Sequence, residues 1–175
     1  MSKTPLTDKI YDAALRRLAQ GDTEALTVIY DRLGRQIYML AYSILGNVHM
    51  AEDIMQDTFL RLLSGVGSYR EGTNAKAYIL KITHNLSLNA LQKMRREAER
   101  TCPIDEEIPA ESDTAKLPAL ESLRLLTREE RLIVVLKLDG GETHAQIASI
   151  LGITPAASAK RYRRALEKLK EYYRK

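Results

Sequence analysis

Six cations crowd one stretch near the carboxy terminus: Lys160, Arg161, Arg163, Arg164, Lys168 and Lys170. Fixed positive charge on one helical face suits phosphate, and an arginine fork can also read guanine bidentately. Catalytic chemistry has no comparable signal. His49, His84 and His144 lie in three different segments without an acidic or thiol partner at ligand spacing, so no metal is expected. No glycine loop runs into Lys-Ser or Lys-Thr, and no activated nucleophile stands beside a base. The expectation is a protein that is not an enzyme and needs no cofactor. Cys102, the single cysteine, sits in a polar stretch and reads as a bystander thiol.

The cations need a scaffold, and THAQIASILGITPAASAKRYRRALEKLK supplies one. Thr143 and Gln146 have capping-box spacing, which starts a short helix with Ile147, Ala148 and Leu151 on its apolar side. Gly152 ends it, Thr154 caps the next helix, and Pro155 falls where a missing N–H costs nothing. Tyr162, Leu166 and Leu169 then recur at helical spacing and should pack inward. Short helix, glycine-centred turn and basic helix together form the helix-turn-helix pattern, whose second helix enters the DNA major groove. The plainer reading is a helical hairpin with a solvated basic face.

Few glycines and prolines, with long stretches at 3.6-residue period, point to an all-α protein of 175 residues. Trp is absent and Phe occurs once, so Leu, Ile, Ala and Tyr must fill the interior. Charge alternates along the chain. Met1 to Glu97 has 13 basic and 10 acidic residues, Ala98 to Leu117 has 2 and 6, and Pro118 to Lys175 has 12 and 7. Two small helical domains, 1–97 and 118–175, joined by a flexible acidic linker at 98–117, fit that alternation. No signal peptide, lipidation motif or long apolar run appears, so a cytoplasmic location without membrane insertion is expected.

In chain order, Thr4-Pro5 looks like a helix start, with Ile10, Ala14 and Leu18 as a modest stripe. Asp22 can cap a second helix that Gly46 stops, and Asn47 can cap a third over Ala51 to Leu63. In that third helix Ile54, Met55, Thr58, Phe59, Leu62 and Leu63 point one way, leaving Asp53, Gln56 and Asp57 on the other side. A glycine-rich loop, Ser64 to Ala75, follows; loops of this length are functional or simply flexible. Thr73 or Asn74 caps a long helix with Tyr78, Ile79, Ile82, Leu86 and Leu91 inward and a mostly basic polar remainder that includes His84. Beyond a proline-containing acidic segment, Pro118 opens a short helix, and Thr127 with Glu130 repeats the capping box before Leu132, Val135, Leu136 and Leu138.

Taken in this order, the motifs resemble the extracytoplasmic-function (group IV) sigma factors, the small promoter-specificity subunits of bacterial RNA polymerase, from about Thr7 to Leu169. The segments that carry the resemblance are GDTEALTVIYDRLGRQIYMLAYSILGN, AEDIMQDTFLRL, YILKITHN and the helix-turn-helix. The resemblance implies a sigma region 2-like domain that binds core RNA polymerase and the minus-ten element, and a region 4-like domain that binds the minus-thirty-five element. It implies that Asp53, Gln56 and Asp57 meet the clamp helices of the polymerase β′ subunit. Asn85 would read a flipped base of the melted strand, with Tyr69, Lys76 and Lys81 as further strand contacts. The acidic linker would run towards the polymerase active site, and the last domain would dock on the β flap. Lys160, Arg163 and Arg164 would then face DNA, with Arg161 supporting contact to the DNA backbone. An anti-sigma factor covering the polymerase-binding surfaces is a further possible partner.

The chain departs from the family pattern at several places. Tyr78 stands where Trp is usual, and Asn89 and Gln92 replace Asp and Arg. Gln146-Ile147-Ala148 stands for the EIA triplet, and Ala156-Ala157-Ser158-Ala159 for Gly-Thr-Val-Lys. The loss of a basic residue at Ala159 bears on the upstream promoter sequence, not on the fold. Two other readings remain open from the residues: a stand-alone helix-turn-helix regulator, and a sigma-like interaction protein without promoter use.

Overall fold

The computed structural model describes residues 6–66, 69–101 and 122–174. Among them every regular element is helical: α1 (Leu6–Ala19), α2 (Ala25–Leu45), α3 (Val48–Ser64), α4 (Ala75–Thr101), α5 (Arg128–Val134), α6 (His144–Leu151) and α7 (Pro155–Tyr173). A π turn, Val135–Asp139, runs on from α5. The helix start at Thr4-Pro5, the acidic segment from Cys102 onward and the helix start at Pro118 lie outside the described residues.

Local side-chain chemistry sets most boundaries. Asn47 accepts from Met50 N at 2.9 Å, which starts α3 at Val48, a turn before Ala51. Gly46 closes α2 in the left-handed region (φ +67°) and donates its N–H to Tyr42 O. Of the two candidates before α4, Asn74 is the cap: it accepts from Ala77 N at 2.7 Å, while the Thr73 hydroxyl donates to Arg70 O. Asp22 does not cap α2 directly. It pairs with Arg17 and accepts from Glu24 N in the preceding turn, and α2 begins at Ala25.

In the amino-terminal half α2, α3 and α4 pack on one another, and α1 lies across α2 and α4. Ile29, Leu33, Ile37, Leu40 and Ile44 of α2 are fully buried with Leu62, Ile79 and Leu80. Burying each such side chain stabilises by about 1.5–3 kcal/mol. Three details differ from the periodicity. The buried side of α1 is Asp8, Tyr11, Ala14, Leu15 and Leu18, with Ile10 only partly covered. Leu63, counted on the apolar side of α3, is 44% exposed. His84, grouped with the polar residues of α4, is buried, and that burial lowers its pKa.

In the carboxy-terminal half α5 and α6 both pack against α7. The buried residues of α7 are the small ones, Ser158 and Ala165, whereas Tyr162, Leu166 and Leu169 are half-buried around them. Small side chains at the contact let the helices approach closely. The α5 helix does not continue regularly through Leu138. At the π turn Gly140 N donates to Val135 O, five residues back, and Leu138 is carried out to solvent.

The two halves are packed together. α5 and its π turn lie on α2, α6 lies on α4, and one continuous cluster of buried side chains runs through both halves.

Candidate nucleic-acid and partner interfaces

The helix-turn-helix is assembled as its residues dictate. Thr143 and Gln146 form a reciprocal capping box on α6, with Gln146 N donating to Thr143 Oγ1 at 3.2 Å and Thr143 N to Gln146 Oε1 at 2.8 Å. Gly152 turns the chain at φ +69°, where a Cβ would be strained. Thr154 then accepts from Ala157 N and Pro155 opens α7. His144 stitches the two helices, with Nδ1 3.0 Å from Ser158 Oγ and its ring edge-on to Tyr162. Ion pairs hold α7 to α5: Arg161 to Glu129 at 3.0 Å and Lys168 to Glu130 at 2.7 Å. Burial pulls Glu130 upward, but Lys168 and the Thr127 backbone outweigh it and hold the carboxyl below its usual range.

Those pairs leave a clean basic face. Lys160, Arg163 and Arg164 are exposed and have no ion-pair partner among the described residues. Arg161, grouped with them by sequence, is instead half-buried and committed to Glu129.

On α3, Asp53, Gln56 and Asp57 share one exposed face, and neither aspartate has an ion-pair partner among the described residues. Leu60, one turn on, is 61% exposed, and Tyr30 of α2 is 53% exposed with its ring against Phe59 at 5.4 Å. Acidic and amide groups beside uncovered apolar side chains make a surface suited to a protein partner.

The remaining candidates sit around the start of α4. Lys81 and Asn85 are exposed, and Asn85 hydrogen-bonds His84. Tyr69 packs its ring on Tyr78 at 5.1 Å and donates its hydroxyl to Asp12. Burial first, and then the Asp12 carboxylate, push the Tyr69 hydroxyl upward in pKa. Lys76 is held across the two halves. Its Nζ lies 2.7 Å from Glu142 Oε1 and also donates to Gly140 O, with side chains only 15% and 2% exposed for Lys76 and Glu142. Arg35 and Asp139, 3.4 Å apart, form an outer pair beside it. A Cβ at Gly140 would lie 2.7 Å from the Leu136 carbonyl oxygen and also run into the Gln36 amide, and the backbone contact is the one that cannot give way. Burial raises the Glu142 carboxyl, and Lys76 only partly offsets that.

Sequence reasoning missed Glu142, Asp12 and Asp8. Asp8 had a signal: it falls in register with Tyr11 and Leu15, an acid inside an apolar stripe. Glu142 had none, because its partner is 66 residues away. Among the described residues no group of three or more His, Cys, Asp or Glu converges as a metal site, and no helix is long and apolar enough to cross a membrane.

An open basic recognition helix on a capped helix-turn-helix, beside a second helical unit with its own polar and aromatic face, defines a two-part helical DNA-binding protein. Comparison with known proteins narrows that class. Residues 29–97 match the family described as Sigma-70 region 2, and residues 117–169 that described as Sigma-70, region 4. The ECF RNA polymerase sigma factor SigE of Mycolicibacterium smegmatis is 30% identical, over 99% of this chain and 70% of its own. The RNA polymerase sigma factor CarQ of Myxococcus xanthus is 28% identical, over 90% and 94%. The fold is shared with CnrH, solved with the cytosolic domain of CnrY (TM-score 0.69, 20% identity, 94% of this chain and 97% of that one). It is shared equally with the sigma factor RpoE of Bartonella quintana, solved with the anti-sigma factor NepR (TM-score 0.69, 22% identity, 83% and 94%). The chain belongs to the ECF sigma factors of bacterial RNA polymerase. It is an alternative sigma factor that directs transcription initiation.

Proposed function

We propose the following division of labour. Residues 1–97 bind core polymerase and the melted minus-ten strand, 98–117 form the acidic linker, and 118–175 bind the minus-thirty-five duplex. The α3 face of Asp53, Gln56 and Asp57, extended by Leu60 and Tyr30, docks on the β′ clamp helices. Lys81 and Asn85, with Tyr69 and, once released from Glu142, Lys76, meet the displaced strand. Lys160, Arg163 and Arg164 face the major groove, the second domain docks on the β flap, and Arg161 braces α7 through Glu129. The protein works in the cytoplasm and has no catalysis of its own.

The carrying observation is the α7 face, where three cations stay exposed and have no ion-pair partner among the described residues, although α7 spends others on α5. A regulatory partner fits the same scheme. An anti-sigma protein that covers Tyr30, Leu60 and the acidic stripe would compete directly with polymerase. The test is transcription on fragmented genomic DNA by core enzyme with and without this protein. New start sites carrying a shared upstream element are expected. Folded protein that fails to associate with core enzyme refutes the reading, and tight duplex binding without polymerase would favour an autonomous regulator instead.

A further inference from the structure

Asp12 lies on α1, ahead of residues 29–97 that the region 2 family matches. Its carboxylate nevertheless meets three partners, two of them far along the chain. Oδ1 accepts from the Tyr69 hydroxyl and, at 3.0 Å, from Gly72 N. Oδ2 lies 3.6 Å from Arg16, whose guanidinium also pairs with Glu71. One turn earlier Asp8, buried on the same helix, accepts from Lys76 N at 3.4 Å. Thus α1 grips the chain from Tyr69 to Lys76 at four points, across some sixty residues of sequence. Gly72 is part of the design. Its φ of +77° turns the amide onto Asp12, in a conformation other residues adopt only under strain.

Apolar packing alone would hold a loop down, but it would not orient it. A carboxylate that takes both a hydroxyl and a backbone amide fixes direction as well as position. What remains facing outward is Arg70, exposed and without a partner for its guanidinium among the described residues, next to the Tyr69–Tyr78 ring pair. A cation beside a pair of tilted aromatic rings, 49° apart in plane, offers a ring face to an unpaired base and a charge to its phosphate.

We infer that Asp12 is a positioning residue for strand capture: it sets the pose of residues 69–73 so that Arg70 and the two tyrosine rings meet the displaced strand in one arrangement. Base preference in the minus-ten region therefore depends on a helix outside the region 2 match. This rests on the proposed minus-ten role of that surface.

The test is transcription with core polymerase from templates randomised across the minus-ten region, read by sequencing the products. Asp12→Asn keeps the shape and an acceptor for Gly72 N but loses the charge, and Tyr69→Phe removes only the hydroxyl. Each should flatten base preference in the minus-ten region by roughly tenfold, the scale of one charge-assisted hydrogen bond. Because both act on one interaction, the double variant should be no flatter than Asp12→Asn alone. Preference at the minus-thirty-five element, measured on a second pool, should keep its profile. Uniform loss of transcription with an unaltered minus-ten profile overturns the inference and leaves Asp12 a purely structural tie. If Asp12→Asn does not fold, Tyr69→Phe decides alone, and a retained profile overturns the inference. A wild-type protein that directs no transcription defeats the proposed function instead, which keeps the two failures distinct.

Discussion

The two basic surfaces of this sigma factor are presented in opposite ways. On α7, Lys160, Arg163 and Arg164 stand open to solvent, and the internal ion pairs are taken by Arg161 and Lys168. At the start of α4, Lys76 is closed in by Glu142 and Gly140 of the other half, and Tyr69 is tied to Asp12. Duplex DNA exists before initiation, so its proposed reader can be preformed and uncovered. The melted strand exists only afterwards, and its proposed reader is held by acids of the same chain. In the proposed minus-ten role the carboxylate on Lys76 stands where a phosphate would bind, and a strand would have to displace Glu142 to reach Lys76.

The largest effect that could break this contrast is on the open side. Replacing Lys160, Arg163 and Arg164 together with Ala should lower affinity for the upstream duplex by more than a hundredfold, since each base or phosphate interaction is worth about 1–3 kcal/mol. The salt slope should flatten by about 0.9 for each phosphate that is no longer neutralised. Because these side chains have no ion-pair partner among the described residues, the melting temperature should hold, and a falling Tm would show that the face is structural.

On the closed side the sign should invert. Glu142→Ala takes the carboxylate away from Lys76 and leaves a gap where that side chain was buried, a loss of about 3 kcal/mol to the packing of the two halves. Energy transfer between dyes on α3 and α7 should fall, and the free protein should bind a single-stranded minus-ten oligonucleotide more tightly. An unchanged dye distance together with unchanged strand affinity would erase the difference between the two surfaces.

A smaller effect sharpens the comparison from within the open unit. Thr143→Ala removes one half of the α6 capping box and should cost about 1 kcal/mol in denaturant unfolding. Duplex affinity should drop only to the extent that α6 frays, while minus-ten strand binding stays level.

The smallest effect is on pH. Burial raises the Glu142 carboxyl in the packed form above its value when the halves part. The packed form therefore binds that proton more tightly. Its associated stability is complete below the ordinary glutamate range and is lost as pH rises through the raised value. Dye transfer followed through the acid range should rise as pH falls, and Glu142→Gln should abolish that dependence.

Legibility from sequence divides along the same line. Signals that act within four residues were readable: the Thr143–Gln146 and Thr127–Glu130 boxes, the Asn47 and Thr154 caps, and the glycine stops at Gly46 and Gly152. Their energetics are local, so spacing is enough. The exposed cations of α7 followed from the same periodicity, as did the exposure of Asp53, Gln56 and Asp57. Unreadable were the contacts whose partners are remote, Lys76 to Glu142 and Tyr69 to Asp12, because no local pattern encodes a pairing with a residue so far along the chain. The commitment of Arg161 to Glu129 was hidden for the same reason. His84 was misplaced because a 27-residue helix meets neighbours on more than one side, so a single stripe underestimates what it buries.

The widened turn at Val135–Asp139 has a mechanical meaning. A π turn holds one residue more than the regular helix needs, and each residue advances a helix by about 100°. That surplus sets the azimuth at which Gly140 and Glu142 leave α5, and hence whether they arrive over Lys76 or swing past it. Excising one residue there would restore the regular winding and dial the recognition helix to a new bearing, so the catch between the halves is also the gear that aims them.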